Sequence, residues 1–344
     1  MVNSFPLEGV IGIVANGSAE IDFALDRRLS CIEIRADLLI KGGTSVDDVV
    51  ELVRKSKTKE LSCLFTLRHP EHGGEFFGTE EQRIQINKLA LEAGANIIDL
   101  EWGTDALVEM SDKNVPMVIS HHDFKAMPSI EELEKLTSEM ESFCPYAIKV
   151  VPTASKLADS IQMLQWVRDG TRDIARIGFA MGPKGTCSRI MTTVFGAPVT
   201  YASFGNAVAP GQLSMDALLN CYRVPELNGD CLIYGIAGEG VKHSRELEIL
   251  NRQLKKKQMN AVCVPLDSIE LDELLAMLED LNIKGIQLDD PLKEIAIEKF
   301  SDALIYEELN KAINERKIPM QQIMRDEALK AFELWDKKED KVKY

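Results

Sequence analysis

A lysine inside a short apolar run has the clearest chemical potential of any residue in this sequence. Lys149 lies in the stretch Y-A-I-K-V-V-P at residues 146–152, a composition that predicts a buried β-strand. Burial disfavours the ammonium form of lysine, and a neutral amine attacks ketones to form a Schiff base. The alternative is a lysine near a strand end that reaches water or pairs with a carboxylate. This stretch alone leaves both interpretations open.

Polar residues that bind anions or transfer protons lie at the ends of other apolar runs. Because strand residues alternate between two faces, Glu33 and Arg35 share one face, and His121 points away from the face of His122. The carboxyl ends of parallel strands meet at one edge of a sheet, so a polar pocket around a small anion is predicted, with Lys149 inside it. The polar residues in question are Glu33, Arg35, Arg68, Asp99, Glu101, His121, His122, Ser188, Arg189 and Gln212.

Eight short apolar runs predict the framework that positions these groups. Amphipathic stretches of helical length, such as Val46–Lys55 and Ile130–Met140, separate most of them. Eight strand–helix units over about 220 residues match an α/β fold, the (β/α)₈ or TIM barrel. A doubly wound open sheet is the rival fold, but no G-x-G-x-x-G follows the first run. The runs are Val10–Val14, Cys31–Arg35, Ser62–Arg68, Asn96–Glu101, Pro116–Ser120, Tyr146–Val151, Ala175–Ala180 and Pro198–Ser203.

Composition limits the classes of partner. The chain has 344 residues, 45% of them apolar, and a net charge of −15. This charge argues against nucleic acid or a membrane surface as the main partner, but it allows a basic pocket for an anionic metabolite. The seven cysteines show no metal-binding spacing, so reduced thiols and no metal site are predicted. No leader pattern and no run of about 20 apolar residues is present, so a cytoplasmic protein is predicted.

Residues 1 to about 225 resemble the type I 3-dehydroquinate dehydratases, a (β/α)₈ family of the shikimate pathway. Each matching motif is weak alone, but together they occur in the family's order across the whole predicted barrel. The motifs are E-I-R-A-D (33–37), L-R (67–68), G-G-E-F (73–76), S-H-H-D-F (120–124), I-K-V-V (148–151), M-G-P-K-G-T-C-S-R-I (181–190), V-T-Y-A (199–202) and A-P-G-Q (209–212).

The resemblance implies a reaction that needs no cofactor. The family converts 3-dehydroquinate into 3-dehydroshikimate through an imine. Lys149 matches the lysine that forms a Schiff base with the C3 ketone, and His122 matches the general base that removes a C2 proton. Histidine suits that role because its pKa lies near neutrality. Barrels of this family commonly pair, so a homodimer is also expected.

The resemblance also implies which residues bind the substrate. Arg189 matches the clamp for the substrate carboxylate, which a planar guanidinium can bind through two hydrogen bonds. Glu33, Arg35 and Arg68 match positions that hold the ring hydroxyls and order the site. Gln212 matches a residue on a loop that covers the substrate.

Two departures from the family pattern concern the catalytic histidine and the covering loop. The family usually has a glutamate before the G-G pair, where it orients the histidine, but this chain has His72 there, with Glu71 beside it. We therefore expect Glu71 or His72 to take part in orienting His122. Val208 replaces a hydroxyl residue before A-P-G-Q. Neither change removes the lysine–histidine pair, so dehydratase activity is still expected.

Residues 230–344 are predicted to form a smaller α/β module, separated from the barrel by P-E-L-N-G-D at residues 225–230. The stretch from 232 to about 300 resembles the substrate-binding half of shikimate dehydrogenase, in L-I-Y-G-I-A-G (232–238) and I-K-G-I-Q-L-D-D-P-L-K-E (283–294). The family's N-V-T-x-P-x-K pattern is reduced to Pro291 and Lys293, and its N-T-D motif has no counterpart. A degenerate, truncated, non-redox module is expected, with Lys293 as a surface charge.

Two other functions compete with the dehydratase. Another lysine-dependent barrel, such as an aldolase, would not need His122 and Arg189 together. A catalytically weakened ligand-binding or scaffolding protein of the same pathway would result if the changes at His72 and Val208 abolished turnover.

Overall fold

A computed structural model describes residues 5–113, 115–170, 173–205, 209, 211–281, 283–289 and 292 of the chain. The chain divides into two compact units, Met1–Asp289 and Asp290–Tyr344. The predicted domain boundary at 225–230 lies inside the first unit and stays a prediction. Val208 and Lys293 lie outside the described residues.

Nine parallel strands form the larger sheet, and eight of them are the eight predicted runs. The order across the sheet is β7-β6-β5-β4-β3-β2-β1-β8-β9, so the first strand pairs with the eighth, as a barrel requires. The strands are β1 (Gly9–Val14), β2 (Cys31–Arg35), β3 (Ser62–Thr66), β4 (Ile97–Glu101), β5 (Met117–Asp123), β6 (Ala147–Pro152), β7 (Ala175–Gly178), β8 (Val199–Ser203) and β9 (Leu213–Ser214). The predicted TIM-barrel class is thereby confirmed.

Helices follow most of these strands, and local sequence signals begin several of them. Thr79 and Gln82 form a reciprocal capping box before one helix, and Ser129 and Glu132 do so before another. The helices of the barrel are α1 (Ala19–Asp26), α2 (Ala36–Lys41), α3 (Val46–Thr58), α4 (Glu80–Ala93), α5 (Asp105–Ser111), α6 (Ile130–Glu141), α7 (Leu157–Arg168) and α8 (Thr186–Met191). Short turns of 3₁₀-helix lie at Pro70–His72, Pro183–Gly185 and Val224–Glu226, and a π-helical turn lies at Ala217–Cys221.

Two apolar layers result from the alternation of side chains along the barrel strands. Every second side chain of a strand, such as Ile32 or Ile148, points outward and packs in the core that the strands share with the helices. The other set points inward, and near the amino ends of the strands it is apolar, as at Cys31 and Ala147. Further along the same inward face the residues become polar. The apolar layer near the amino ends of the strands therefore excludes water from that side of the polar layer.

A second parallel sheet follows the barrel in the same compact unit. Its strands are β10 (Leu232–Gly238), β11 (Ala261–Asp267) and β12 (Ile283–Leu288), in the order β11-β10-β12. Two helices, α9 (Arg245–Lys256) and α10 (Leu271–Asp280), accompany them, after a 3₁₀ turn at Val241–His243. This confirms the expected smaller α/β part. None of the helices in the described parts of the chain combines the length and apolar character that crossing a membrane requires.

The buried side chain of Asn251 in α9 makes three hydrogen bonds, two of them to the edge strand β11 and one to its own helix. Its amide donates to the carbonyl oxygens of Leu247 and Cys263, both at 2.8 Å, and its Oδ1 accepts from the Cys263 N–H at 2.9 Å. The side chain thus pairs two backbone groups on the side of β11 that faces away from β10.

We expect Asn251→Ala to lower the free energy of unfolding by about 2–4 kcal/mol, because it leaves buried backbone groups of Cys263 without partners. Urea unfolding followed by circular dichroism measures this change. Lys255→Ala, at an exposed position of the same helix, is the matched control and should change stability by less than about 0.5 kcal/mol. Equal effects of the two substitutions would contradict the assigned role of Asn251.

Candidate active site

Seven residues singled out in the sequence line one cavity of about 150 Å³ at the carboxyl ends of the barrel strands. They come from β2, β5 and β6, the segment after β3, helix α8 and the segment before β9. The structure therefore brings all seven to one cavity, and the roles that the resemblance implies for them stay predictions. The seven are Glu33, Arg35, Arg68, His122, Lys149, Arg189 and Gln212.

Lys149 lies at the centre of this cavity and is only 4% exposed. Its Nζ is 3.3 Å from Oδ2 of Asp99 and 3.8 Å from Oε1 of Glu33, and it lies 4.2 Å from the centroid of the Tyr201 ring. Burial lowers the pKa of the Lys149 amine, and the positive charge of Arg68 adds to that effect, while Asp99 and Glu33 oppose it. The amine is thus easier to deprotonate than an ordinary lysine.

Three neighbouring side chains favour the ionised form of Asp99. Ser120 donates a hydrogen bond to its Oδ1 at 2.5 Å, and Nη2 of Arg68 lies 3.4 Å from its Oδ2. Burial alone would raise the pKa of this carboxyl group, but Lys149, Arg68 and Ser120 together lower it. Asp99 therefore stays a carboxylate beside the amine.

Glu33 and Arg35, the two charged residues of β2, are each held by hydrogen bonds to neighbouring residues. Glu33 accepts a hydrogen bond from the Thr66 hydroxyl at 2.8 Å. Arg35 donates two hydrogen bonds to Asp37, at 2.8 and 2.7 Å, and Asp37 also accepts from the backbone N–H of Glu75 at 3.1 Å. Such a two-bond pair fixes the orientation of the Arg35 guanidinium at the cavity wall.

His122 lies on the strand next to that of Lys149. In the register of β5 and β6, Ser120 is opposite Lys149 and His122 is opposite Val151, so His122 lies two residues further along, roughly 7 Å. Burial lowers the pKa of His122 well below its usual value, and the nearby cations Arg68, Lys149 and Arg35 contribute. The imidazole is therefore neutral near pH 7 and able to accept a proton.

The rings around His122 agree with the predicted orientation of the two adjacent histidines. The Phe124 ring stacks on His122, with the centroids 6.3 Å apart and an angle of 17° between the planes. His121, on the opposite face of β5, is not among the residues that line the cavity. Phe124 also packs against Gly73, where an added Cβ would lie 2.2 Å from the ring. Glycine at that position thus leaves room for the ring on His122.

Arg189 enters the cavity from helix α8. Its guanidinium lies 4.5 Å from the centroid of the Phe179 ring, and burial lowers its pKa to about 10. The side chain is still a cation at neutral pH. Ser188 holds the turn before Arg189, because its hydroxyl donates to the Gly185 carbonyl at 2.6 Å and accepts from the Ala180 N–H at 2.9 Å.

The two residues predicted to orient the histidine, Glu71 and His72, are not among the residues that line the cavity. The side chain of Glu71 is 84% exposed, and its carboxylate lies 4.0 Å from Nδ1 of His69. His72 is half-buried, and burial lowers its pKa. The structure therefore does not bring either residue to His122 through a hydrogen bond or ion pair among the described contacts, and their role stays a prediction.

In the sequence, Tyr201 stands out only within the V-T-Y-A motif and Asp99 only among the polar residues at the strand ends, without a catalytic or binding role for either. Tyr201 lines the cavity beneath the amine, and burial raises the pKa of its phenol well above the usual value, so the ring stays neutral. Asp99 is the carboxylate nearest to Lys149. Both lie on the inward face of their strands, and that alternation was the signal that could have found them. Within the described ranges, no cluster of three or more histidine, cysteine, aspartate or glutamate residues could hold a metal ion.

Curated proteins with similar sequences are dehydratases. A protein from Arabidopsis thaliana, the bifunctional 3-dehydroquinate dehydratase/shikimate dehydrogenase, chloroplastic, is 30% identical over 274 residues, covering 78% of this chain. The chain spans only 44% of that protein's length. The 3-dehydroquinate dehydratase of Dehalococcoides mccartyi is 33% identical over 196 residues, which cover 56% of this chain and 84% of that protein.

Solved structures share the fold. The 3-dehydroquinate dehydratase of Geobacillus kaustophilus superposes with a TM-score of 0.55 at 22% identity, covering 62% of this chain and 89% of that one. The dehydroquinate dehydratase and shikimate dehydrogenase of S. pombe superposes with a TM-score of 0.53 at 21% identity, covering 85% of this chain and 58% of that one.

The family model for type I 3-dehydroquinase matches residues 13–228, which hold all of the barrel strands except the first four residues of β1 and include all the cavity residues named above. That match covers more than half of the chain, and so this protein belongs to the type I 3-dehydroquinase family.

Proposed function

We propose that the barrel dehydrates 3-dehydroquinate to 3-dehydroshikimate through an imine on Lys149. The observation that carries the proposal is the shared cavity of two groups on neighbouring strands: a buried amine with a lowered pKa and a neutral histidine. The aldolase alternative does not need His122 and Arg189 together, and both line this cavity. The reaction places the protein in aromatic amino acid biosynthesis.

The first step is attack of the neutral Lys149 amine on the C3 ketone. The amine nitrogen forms a bond to carbon and transfers one proton to the carbonyl oxygen, which takes a second proton from solvent and leaves as water, so that a protonated imine remains. Asp99, 3.3 Å from Nζ, and Glu33, at 3.8 Å, favour that cation electrostatically once it has formed. The same carboxylates that oppose deprotonation of the lysine thus stabilise the intermediate.

The second step is the elimination, for which His122 acts as base and then as acid. The neutral imidazole removes a C2 proton, and the electrons of that bond move into the imine as an enamine. Return of these electrons expels the C1 hydroxyl, which takes the proton from His122 and leaves as water. Hydrolysis of the product imine consumes one water and frees Lys149, so one water is lost overall. Arg68, Lys149 and Arg35 keep the resting imidazole neutral for this role.

The remaining cavity residues hold the substrate in place. Arg189 binds the substrate carboxylate, because a buried guanidinium gains most from an anionic partner. Glu33, Arg35 and Arg68 bind the ring hydroxyls, and their own pairings with Thr66, Asp37 and Asp99 fix their orientation. Gln212 covers the substrate from the segment before β9. A homodimer and a cytoplasmic location stay predictions.

Borohydride reduction in the presence of 3-dehydroquinate tests the imine. We expect peptide mass spectrometry to find one reduced ligand adduct, on the peptide that contains Lys149. Lys149→Arg keeps the charge but cannot form an imine, so it should give no adduct and no turnover. His122→Asn should still give the adduct while kcat falls by about 10³-fold, because only the proton transfers are lost. An adduct-free Lys149 in an active protein would refute the mechanism.

The pH dependence of kcat/KM tests the electrostatic role of Asp99. Activity should rise with pH as Lys149 loses its proton, and the midpoint should lie below the usual pKa of lysine because burial lowers it. Removing the negative charge in Asp99→Asn should move the midpoint to lower pH, since Asp99 raises the pKa of Lys149. Ser120→Ala removes a hydrogen bond to Asp99 but keeps the charge, and it should leave the midpoint in place. A midpoint that stays fixed or rises in Asp99→Asn would contradict this assignment.

We further propose that residues 230–344 have no dehydrogenase activity of their own. This proposal rests on the reduced motif at residues 287–293, where Gln287, Leu288 and Asp289 replace the residues of the resembling family.

An assay of the full chain with shikimate and NADP⁺, followed at 340 nm, should show no reduction of the nucleotide, whereas the dehydratase assay on the same sample shows enone formation. Shikimate-dependent NADPH formation would refute the non-redox assignment.

A further inference from the structure

An ion pair joins the barrel to the module that follows it. Nζ of Lys184 lies 3.0 Å from Oδ1 of Asp267, and the Asp267 side chain is only 7% exposed. Lys184 belongs to the 3₁₀ turn Pro183–Gly185, after β7, and Asp267 is the last residue of β11. A buried carboxylate needs such a partner, because burial without one disfavours its charge. The pair therefore ties the carboxyl end of β11 to a loop at the catalytic end of the barrel.

A second contact links the same part of the module to the loop after β6. Oε1 of Glu273, in α10, accepts from the backbone N–H of Ala158, in the first turn of α7, at 3.5 Å. Ser268, next to Asp267, donates its hydroxyl hydrogen to Oε2 of Glu273 at 2.7 Å. Asp267 and Glu273 thus contact the segments that follow β7 and β6. Strand β6 carries Lys149, and the segment after β7 leads to Arg189.

The turn that carries Lys184 has little freedom to move independently of helix α8. The Lys184 carbonyl accepts from the Ser160 hydroxyl at 2.8 Å, and the Gly185 carbonyl accepts from Ser188 at 2.6 Å. A Cβ on Gly185 would lie 2.3 Å from the carbonyl oxygen of Ala180, so the backbones are in close contact. Because α8 begins at the next residue and carries Arg189, any displacement of the turn also displaces that guanidinium.

The covering segment before β9 packs against the same loop. A Cβ on Gly211 would lie 2.8 Å from the carbonyl oxygen of Gly182, and Gly211 has a positive φ of 73°. Gln212, the next residue, lines the cavity. The loop at 181–185 therefore lies between the module on one side and the cover of the cavity on the other.

We propose that Asp267 is a positioning residue for the barrel's active site, which acts through Lys184 to hold Arg189 where the substrate carboxylate binds. The C-terminal module then serves the dehydratase reaction as a brace on its binding loop. This inference rests on the proposed function of Arg189, and it assigns to the module a role that needs no ligand or redox chemistry of its own.

Steady-state kinetics of the full chain test whether Asp267 positions Arg189 through Lys184. In Asp267→Asn and in Lys184→Met, KM for 3-dehydroquinate should rise about tenfold while kcat changes less than about twofold, because ground-state and transition-state binding of the carboxylate weaken together. The double variant should show the same KM as either single variant, since both remove one interaction. Glu248→Gln removes an equal charge from an exposed pair with Arg252 in α9, and its KM should match that of the wild type.

Hydrogen exchange of the backbone amides gives a readout that does not depend on activity. Asp267→Asn should speed exchange in residues 182–191 and leave α3 unchanged, whereas Glu248→Gln should change neither segment. Unchanged KM and unchanged exchange in Asp267→Asn would overturn the brace. A wild-type protein without dehydratase activity would instead refute the proposed function, while the exchange result would still decide whether Asp267 orders the loop.

Discussion

The site depends on one arrangement of charge: a buried amine between two carboxylates. Burial pushes Lys149 towards its neutral form, and Asp99 and Glu33 push it back. In the proposed mechanism either influence alone would be unproductive. Without the carboxylates a buried cationic imine would lack stabilisation, and without burial the paired lysine would stay protonated and would not act as a nucleophile. Asp99 stays ionised in the same dry surroundings because Lys149 and Arg68 lower its pKa, with a further contribution from the Ser120 hydrogen bond. The reactivity of Lys149 therefore depends on four other side chains, which are Asp99, Glu33, Arg68 and Ser120.

The barrel supplies the dry surroundings through the alternation of its strands. The inward positions near the amino ends are filled by residues such as Ile11, Leu64 and Ile97, which exclude water from below. Two residues further along β3 and β4, after Leu64 and Ile97, the same face carries Thr66 and Asp99, and on β2 it carries Glu33, all of them buried. A polar network on an apolar layer makes each charge interaction stronger than it would be at a surface. This layering also explains why the shifts of Lys149 and His122 are both downward: burial and neighbouring cations act on each of them in the same direction.

Features that depend on period-two alternation were predictable from the sequence, and features that depend on long-range pairing were not. The eight strands and the placement of Glu33, Arg35, His122 and Lys149 follow from local pattern, since the face of each of these side chains is set within its own strand. Arg68, Arg189 and Gln212 lie outside the strands, and the family motifs indicated them instead. The contact between Asp99 and Lys149 spans 50 residues and depends on the register of β4, β5 and β6. Glu71 and His72 lie in and around a short 3₁₀ turn, where alternation does not apply and motif position alone does not set the direction of a side chain. The ion pair of Lys184 with Asp267 spans 83 residues and forms only when a second sheet docks on the barrel.

The docking of the second sheet on the barrel suggests a use for the module in the dehydratase. The barrel has its own set of cavity residues, whereas the module's motif at residues 287–293 keeps only part of the family pattern. Loops at the carboxyl ends of barrel strands carry the binding groups, yet few backbone hydrogen bonds hold them. Ordering such a loop costs conformational entropy in every binding event unless the free protein has already ordered it. Asp267 and Glu273 contact the loops after β7 and β6 in the absence of any ligand. In the proposed arrangement, part of the cost of ordering Arg189 is met by folding rather than by substrate binding, so the carboxyl end of β11 matters to the dehydratase site whatever chemistry the module itself performs.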